Sequence, residues 1–445
     1  MAMQLRRNIA RLAPGAILVA GCAVFVVYAY PGYMSYDSAW QLREARSGVL
    51  TDWHPPVMAA IWHWIDRVVP GPAGMLALQT GCFVAGLWAL FARRFSATTT
   101  ALLVVAILLF PPIGATLAVI WKDSQMLAFL VAGVALVTSE SRARKLAGLG
   151  VLVLATAMRH NAFTITAGLV IPLFAWNAAA PRLRRYALAT AVWLATTAAA
   201  FGVNAWLTDE QTHPWHASLA MFDIVGTLRF APAMTDDEVR AALDGTVFDH
   251  GDHLQDKARA AYDPHAGVFK TMRVGFLAQP TDDAQRAAMA RAWRTLVLGH
   301  PGAYFRHRAR AFRELLALRG DGVREAIYVG YDDTSPFVHA PSTAQAALQA
   351  AALACGTSWL MRPFVYLVVL LCLVPFVVRA RDRLVVSFVA SSLLSEAALF
   401  FLAPTPDFRY SIWLVFSTIV VAVMVFAQRR ERGVLASARK RMPIR

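Results

Sequence analysis

Residues 12–56 read LAPGAILVAGCAVFVVYAYPGYMSYDSAWQLREARSGVLTDWHPP. The run from Leu12 to Tyr30 carries no charge and is close to the ~20 residues that a helix needs to cross a ~30 Å hydrocarbon core. Arg6, Arg7 and Arg11 stand before it, and Val19-Ala20-Gly21-Cys22 inside it could be read as a lipoprotein cleavage box. A mature lipoprotein turns polar after its cysteine, whereas Ala23 to Tyr30 stays apolar, so the stretch reads as an uncleaved first span followed by a polar loop.

Working outward, comparable apolar segments lie near 72–92, 98–114, 123–138, 146–158, 162–177, 186–206, 357–378, 384–402 and 410–427, making about ten spans with 12–30. Composition agrees: 58% of the 445 residues are hydrophobic, 16% are charged, and mean hydropathy is +0.48. The expected fold class is an all-α polytopic membrane protein. A net charge of +15 would suit a nucleic-acid binder, but the basic residues fall in short clusters between apolar segments, without a sustained stripe or stacking aromatics. Arg93/Arg94, Arg142/Arg144/Lys145, Arg182/Arg184/Arg185, Arg379/Arg381/Arg383 and the tail from Arg429 to Arg445 fall on alternate ends of the spans, which puts both termini in the cytoplasm. Cys22, Cys82, Cys355 and Cys372 lack the spacing of a zinc site or disulfide framework and read as packing residues. The Ala/Arg-rich composition without a retention signal points to a bacterial inner membrane.

Three parts follow. Residues 1–206 form an N-terminal membrane module with an outer loop at 31–71, 207–356 an extracytoplasmic insert, and 357–445 a C-terminal membrane module with a basic tail. The insert holds most of the acidic residues. From Pro301 its pattern predicts an amphipathic helix with Phe305, Ala309, Phe312 and Leu316 on one face, which suits either the bilayer surface or packing inside the insert.

The outer loop carries Asp37, Trp40, Gly48 and the step Trp53-His54-Pro55-Pro56, with Trp62 and Trp64 beyond. Trp121-Lys122-Asp123 opens the fourth span, Arg159-His160-Asn161 separates two short ones, and Arg409-Tyr410 opens the last. This series resembles the GT-C glycosyltransferase superfamily, the group of protein mannosyltransferases and lipid A aminoarabinose transferases, across most of the hydrophobic frame. The insert matches no pattern of that group, and its acidic pair is here Asp37-Ser38. The resemblance implies sugar transfer from a polyprenyl-phosphate donor to a glycan, lipid or protein hydroxyl, with a divalent metal ion as a possible cofactor.

Independently of resemblance, a carboxylate at Asp37, just outside a span, can serve as general base where an aqueous acceptor meets a lipid-bound donor. Lys122, Arg159 and Arg409 can face the departing phosphate. A charge at the bilayer centre costs about 2.5–3.5 kcal/mol and so usually lines a functional cavity. The span ending near Arg159 is short, with about 14 residues from Arg144 to Ala157. The resemblance adds Asp123 as a second catalytic candidate and His54 and Tyr410 as further phosphate-side candidates. Each has a plainer alternative: snorkelling for Arg159 and Lys122, a helix-start ion pair for Lys122 and Asp123, a turn cap for His54. Glu44 and Asp52 read as solvated loop charges. Asp249-His250-Gly251-Asp252-His253, His213-Pro214-Trp215-His216, Asp223 and Tyr331-Asp332-Asp333 read as polar loop features. A flippase of lipid-linked sugars would also use short helices and buried charge but predicts paired halves. A glycan polymerase or ligase would require neither Asp37 nor the His-Pro-Pro step.

Overall fold

In a computed structural model that describes residues 2–174, 181–318 and 324–440, every expected apolar segment contains a helix. Positions 175–177 of the sixth segment, and the basic side chains of Arg6, Arg7, Arg11 and the tail past Arg429, lie outside the described residues. The N-terminal module runs α1 (Ala2–Ala29), α2 (Tyr36–Ser47), α3 (Val57–Asp66), α4 (Ala73–Phe91), α5 (Ala97–Leu108), α6 (Pro111–Leu117), α7 (Lys122–Val137), α8 (Arg142–Ala157), α9 (Ala162–Leu173) and α10 (Arg182–Leu207). The insert contributes α11 (Met221–Phe230), α12 (Asp236–Ala242), α13 (Leu254–Ala261), α14 (Val268–Val274), α15 (Asp283–Gly299), α16 (Pro301–Leu315) and α17 (Thr343–Ala354). Then come α18 (Pro363–Ala380), α19 (Arg383–Leu402) and α20 (Ile412–Lys440). Among the described residues, β-pairing is confined to isolated bridges.

Five described segments are long and apolar enough to cross a membrane: α4, α10, α18, α19 and Phe408–Arg429. A sixth arises if α5 and α6 are one span broken by a 71° bend at Pro111-Pro112. The apolar helices Ala13–Ala29 and Ala162–Leu173 are shorter. The chain is thus an all-helical, multi-pass membrane protein.

Close approach between helices follows from small residues. A Cβ at Gly86 would lie 2.7 Å from Ala132 N on α7, and one at Gly168 would collide with the Ser391 backbone of α19. α7 is buried along nearly its whole length.

Two breaks inside the bundle leave backbone groups without helical partners, which apolar surroundings do not tolerate. At the first, Gln79 Nε2 donates to the carbonyls of Leu117 (2.6 Å) and Val119 (3.2 Å), and Gln125 Nε2 holds Gln79 Oε1 at 2.8 Å. Tyr33 pairs there with the backbone of Ala118 and Ile120, which ties the first loop to the start of α7. At the second, between α8 and α9, α10 supplies Asn204 Nδ2 to the Ala157 carbonyl and Trp193 Nε1 to that of Phe163, each at 2.9 Å.

The insert builds its own core around α11, from Met221, Ile224, Val225, Leu228, Leu254 and Leu296. It packs on the first loop through Met34 N to Gly330 O, Asp332 N to Met34 O, and the amides of Asp209 and Glu210 to Leu50 O.

Three expectations change. Glu44 is buried, and its Oε1, withdrawn from water, accepts from donors of the same loop, Trp40 Nε1 (2.9 Å) and Thr51 Oγ1 (2.6 Å). Asp52 fastens the loop to the insert by accepting from Thr212 N and Oγ1 at 2.5 and 2.7 Å. Finally, α16 buries Tyr304, His307, Arg308 and Leu315, while Phe305 is half exposed. Asp223 decides this: it pairs with Arg308 Nη2 at 2.5 Å and accepts from His307 Nε2 (3.2 Å) and Trp293 Nε1 (2.9 Å), and a buried charge must face its partner. Phe305 and Phe312 meet Phe401 and Phe400 of α19 on the other side.

Candidate active site

Asp37 and Asp123 each occupy the first turn of a helix, α2 and α7, where the positive end of the dipole favours a carboxylate. The Tyr33 pairing aligns these two N-termini, and Trp121 Nε1 donates to Ser35 Oγ at 2.7 Å. From the far end of the chain, α19 runs out at Leu402, and residues 403–411 fold back over both starts before α20 begins.

Arg409, 5% exposed, is the hub. Its Nη2 lies 2.7 Å from Asp37 Oδ2 and 3.2 Å from Asp407 Oδ2, and its Nε is 4.0 Å from Asp123 Oδ2. The guanidinium stacks 4.7 Å from the centre of the Trp121 ring. Its Nε and Nη1 are buried without a hydrogen-bond partner. Arg159 Nη1 is paired with Asp123, which is fully buried. Its Nε donates to Asn161 at 3.2 Å, and its guanidinium lies 4.2 Å from the centre of the Tyr410 ring.

Lys122 Nζ and His54 Nδ1 are 2.6 Å apart. An ammonium can only donate, so His54 Nδ1 accepts and its proton sits on Nε2, facing Asp37 Oδ1 at 3.7 Å. Burial and the Lys122 charge push the His54 pKa down to about 3, leaving the imidazole neutral at pH 7. Burial works to raise the Asp37 pKa, but Arg409 and Lys122 outweigh it and hold the carboxyl well below the usual range.

All seven residues singled out from the sequence therefore meet in one cluster: Asp37, His54, Lys122, Asp123, Arg159, Arg409 and Tyr410. Arg159 is 11% exposed and turned inward, which disposes of snorkelling for that residue. Of the remaining features read as polar loops, Asp249 pairs with Lys257 at 2.7 Å and Asp252 with Arg240 at 3.6 Å, whereas Asp223 is not in a loop but on α11, where it is the buried anchor of the insert. Burial opposes but Arg308 and His307 prevail in keeping Asp223 below the ordinary carboxylate range.

Three members of the site escaped the sequence reading. Asp407 is 1% exposed and bridges Arg409 to Arg324, whose Nε lies 3.2 Å from Asp407 Oδ1. Arg324 also pairs with Glu325 at 3.4 Å. Glu325 has a left-handed φ of 49°, and burial with the neighbouring Asp407 raises its carboxyl above the usual range. Asp407 could have been found from its place two residues before Arg409; nothing local marks Arg324 or Glu325.

The carboxylates Asp37, Asp123 and Asp407 each face a guanidinium, and among the described residues no three His, Cys, Asp or Glu side chains converge as a metal-binding group. This donor set fits a divalent ion poorly. An apolar groove of about 850 Å³ runs between α5, α18 and α20, from Arg94 and Phe95 at one end to Trp359 and Leu360 at the other, with Thr418 and Val423 along it.

No family model matches the chain, and no curated protein does. Among solved structures, ArnT from Cupriavidus metallidurans, crystallised with undecaprenyl phosphate, aligns at 14% identity over 92% of this chain and 77% of its own length. The TM-score is 0.35, a similarity that carries no residue correspondence.

Proposed function

We propose that the chain is a membrane glycosyltransferase of the GT-C kind, moving a sugar from a polyprenyl-phosphate donor to a hydroxyl of a glycan, lipid or protein acceptor on the extracytoplasmic face. One observation carries the reading: a carboxylate beside a helix start, Asp37, touches a buried guanidinium, Arg409, that has spare donors and is flanked by Arg159 and Lys122. Such a pairing supplies both needs of the reaction, a proton acceptor and a seat for developing phosphate charge.

In the step, the acceptor oxygen attacks the sugar C1 from the face opposite the phosphate. The C1–O bond to phosphate breaks and its electron pair stays on the phosphate oxygen. Asp37 takes the acceptor's proton, and the anomeric configuration inverts. Arg409, Arg159 and Lys122 stabilise the negative charge that grows on the leaving polyprenyl phosphate, and Tyr410 keeps Arg159 and Arg409 in place from beneath. His54 turns its Nε2 proton toward Asp37 and orients it. The apolar groove, lined on α20 by Thr418, Ile419, Val423 and Phe426, suits an isoprenoid chain by its composition. A bacterial inner membrane with cytoplasmic termini fits this chemistry.

The test is transfer of labelled sugar in membranes that hold Asp37→Asn at normal expression. The substitution keeps the shape and removes the base, and the rate is expected to fall by ~100-fold or more. Near-normal transfer would remove Asp37 from the mechanism; impaired lipid-sugar translocation with no transfer chemistry would mark a transporter instead.

A further inference from the structure

We propose that the donor's phosphate arms the base: it takes Arg409 away from Asp37, so that Asp37 becomes a free carboxylate only when a lipid phosphate is seated. The inference rests on the transferase reading of this cluster and concerns its order of events.

The geometry shows a contest for one side chain. Arg409 is shared among Asp37 at 2.7 Å, Asp407 at 3.2 Å and Asp123 at 4.0 Å, while its buried Nε and Nη1 have no hydrogen-bond partner. Asp407 and Asp123 have second cationic partners, Arg324 at 3.2 Å and Arg159. For Asp37 the other neighbours are His54, neutral at pH 7, and Lys122, whose ammonium is turned to His54. Asp37 is therefore the carboxylate whose fate depends most on Arg409.

A phosphate oxygen on Nη1, or on the edge that Nε shares with Nη2, would satisfy an orphaned donor and draw the guanidinium toward it. While Arg409 holds Asp37 at 2.7 Å, the ion pair lowers the carboxylate's affinity for a proton. Once Arg409 turns to phosphate, burial and the new negative charge both push the carboxyl up, toward a useful basicity. His54 Nε2, 3.7 Å from Asp37 Oδ1, is in place to turn its proton to the freed oxygen. An acceptor arriving before the donor would meet no base, so proton transfer waits for a seated phosphate.

The experiment is binding of undecaprenyl phosphate to the purified full-length protein in nanodiscs, with the phosphate-free polyprenol as control. If Asp37 competes with phosphate, Asp37→Asn binds the lipid phosphate tighter than wild type by about tenfold or more, the scale of one charge-assisted hydrogen bond. The polyprenol binds both proteins equally. Equal lipid-phosphate affinity in wild type and Asp37→Asn, with weakened binding by Arg409→Ala, would overturn the competition and leave the phosphate seat standing. Unchanged affinity in Arg409→Ala would remove the seat, and with it the transferase reading of Arg409. Should Asp37→Asn not fold, infrared difference spectra of wild type decide: lipid binding shifts a carboxylate band if Asp37 is released, and a silent carboxylate region overturns the proposal.

Discussion

Replacing Arg159 with Gln separates the structural from the functional work of the cluster. Arg159 is the hydrogen-bonded partner of Asp123, which is fully buried; without it, Asp123 keeps only Arg409 Nε at 4.0 Å. Breaking a buried pair by removing one partner costs about 3–5 kcal/mol. Loss of the contact with the Tyr410 ring, at 4.2 Å, adds up to ~2 kcal/mol. Adding Asp123→Asn in the same chain removes the stranded charge and should recover most of the first loss. A double-mutant cycle by reversible unfolding in bicelles should therefore give a coupling of about 2 kcal/mol or more. Donor affinity should behave differently. Both Arg159→Gln and the double variant lose one charge-assisted contact to phosphate, about 1.5–3 kcal/mol or roughly 10- to 150-fold in Kd, and the second substitution does not restore it. A coupling below about 0.5 kcal/mol would refute the buried pair. Recovery of lipid-phosphate affinity by the double variant would refute Arg159 as a phosphate ligand and leave it a structural residue.

Other perturbations test the remaining parts. His54 is neutral when folded because its pKa is pushed down to about 3, whereas the unfolded chain takes up a proton near 6.5, so His54 costs stability as pH falls across that window. His54→Gln should therefore lose less stability than wild type between pH 7 and pH 4, measured by thermal unfolding; parallel pH curves would contradict this. Arg308 Nη1 donates to the Ala403 carbonyl at 3.0 Å while Nη2 holds Asp223, so Arg308→Met should cost ~3–5 kcal/mol and expose the insert to limited proteolysis. Unchanged protease resistance would show that the link bears no load. Gly168→Val should cost at least ~1–3 kcal/mol by forcing α9 from α19, read as a lower unfolding midpoint than that of Gly150→Val, where a Cβ meets open space.

The sequence exposes much of this architecture because its signals are local. Apolar runs mark the helices, and Pro111-Pro112 and Arg159-His160-Asn161 mark their breaks. Lys122, Arg159 and Arg409 stand out for the same reason, since a charge next to an apolar run is expensive unless it has a partner, whereas His54 and Tyr410 are marked only by the order of motifs they share with the resembled superfamily. What was hidden depends on partners far apart in sequence. Glu44 looks like any loop carboxylate until Thr51 and Trp40 close around it. The buried face of α16 cannot be read from its own periodicity, because Asp223, more than eighty positions earlier, turns Arg308 inward. Arg324 and Glu325 join the site by an isolated backbone bridge to Asp407 that no pattern announces.

The central claim is that a lipid phosphate sits on Arg409 and Arg159 opposite Asp37. An experimental structure with undecaprenyl phosphate bound tests it most directly. The account predicts phosphate oxygens within hydrogen-bond reach of Arg409 Nη1 and Arg159, the contact between Arg409 and Asp37 opened, and the lipid chain in the groove along α20. A phosphate seated away from Arg409, with the 2.7 Å contact to Asp37 intact, would contradict it.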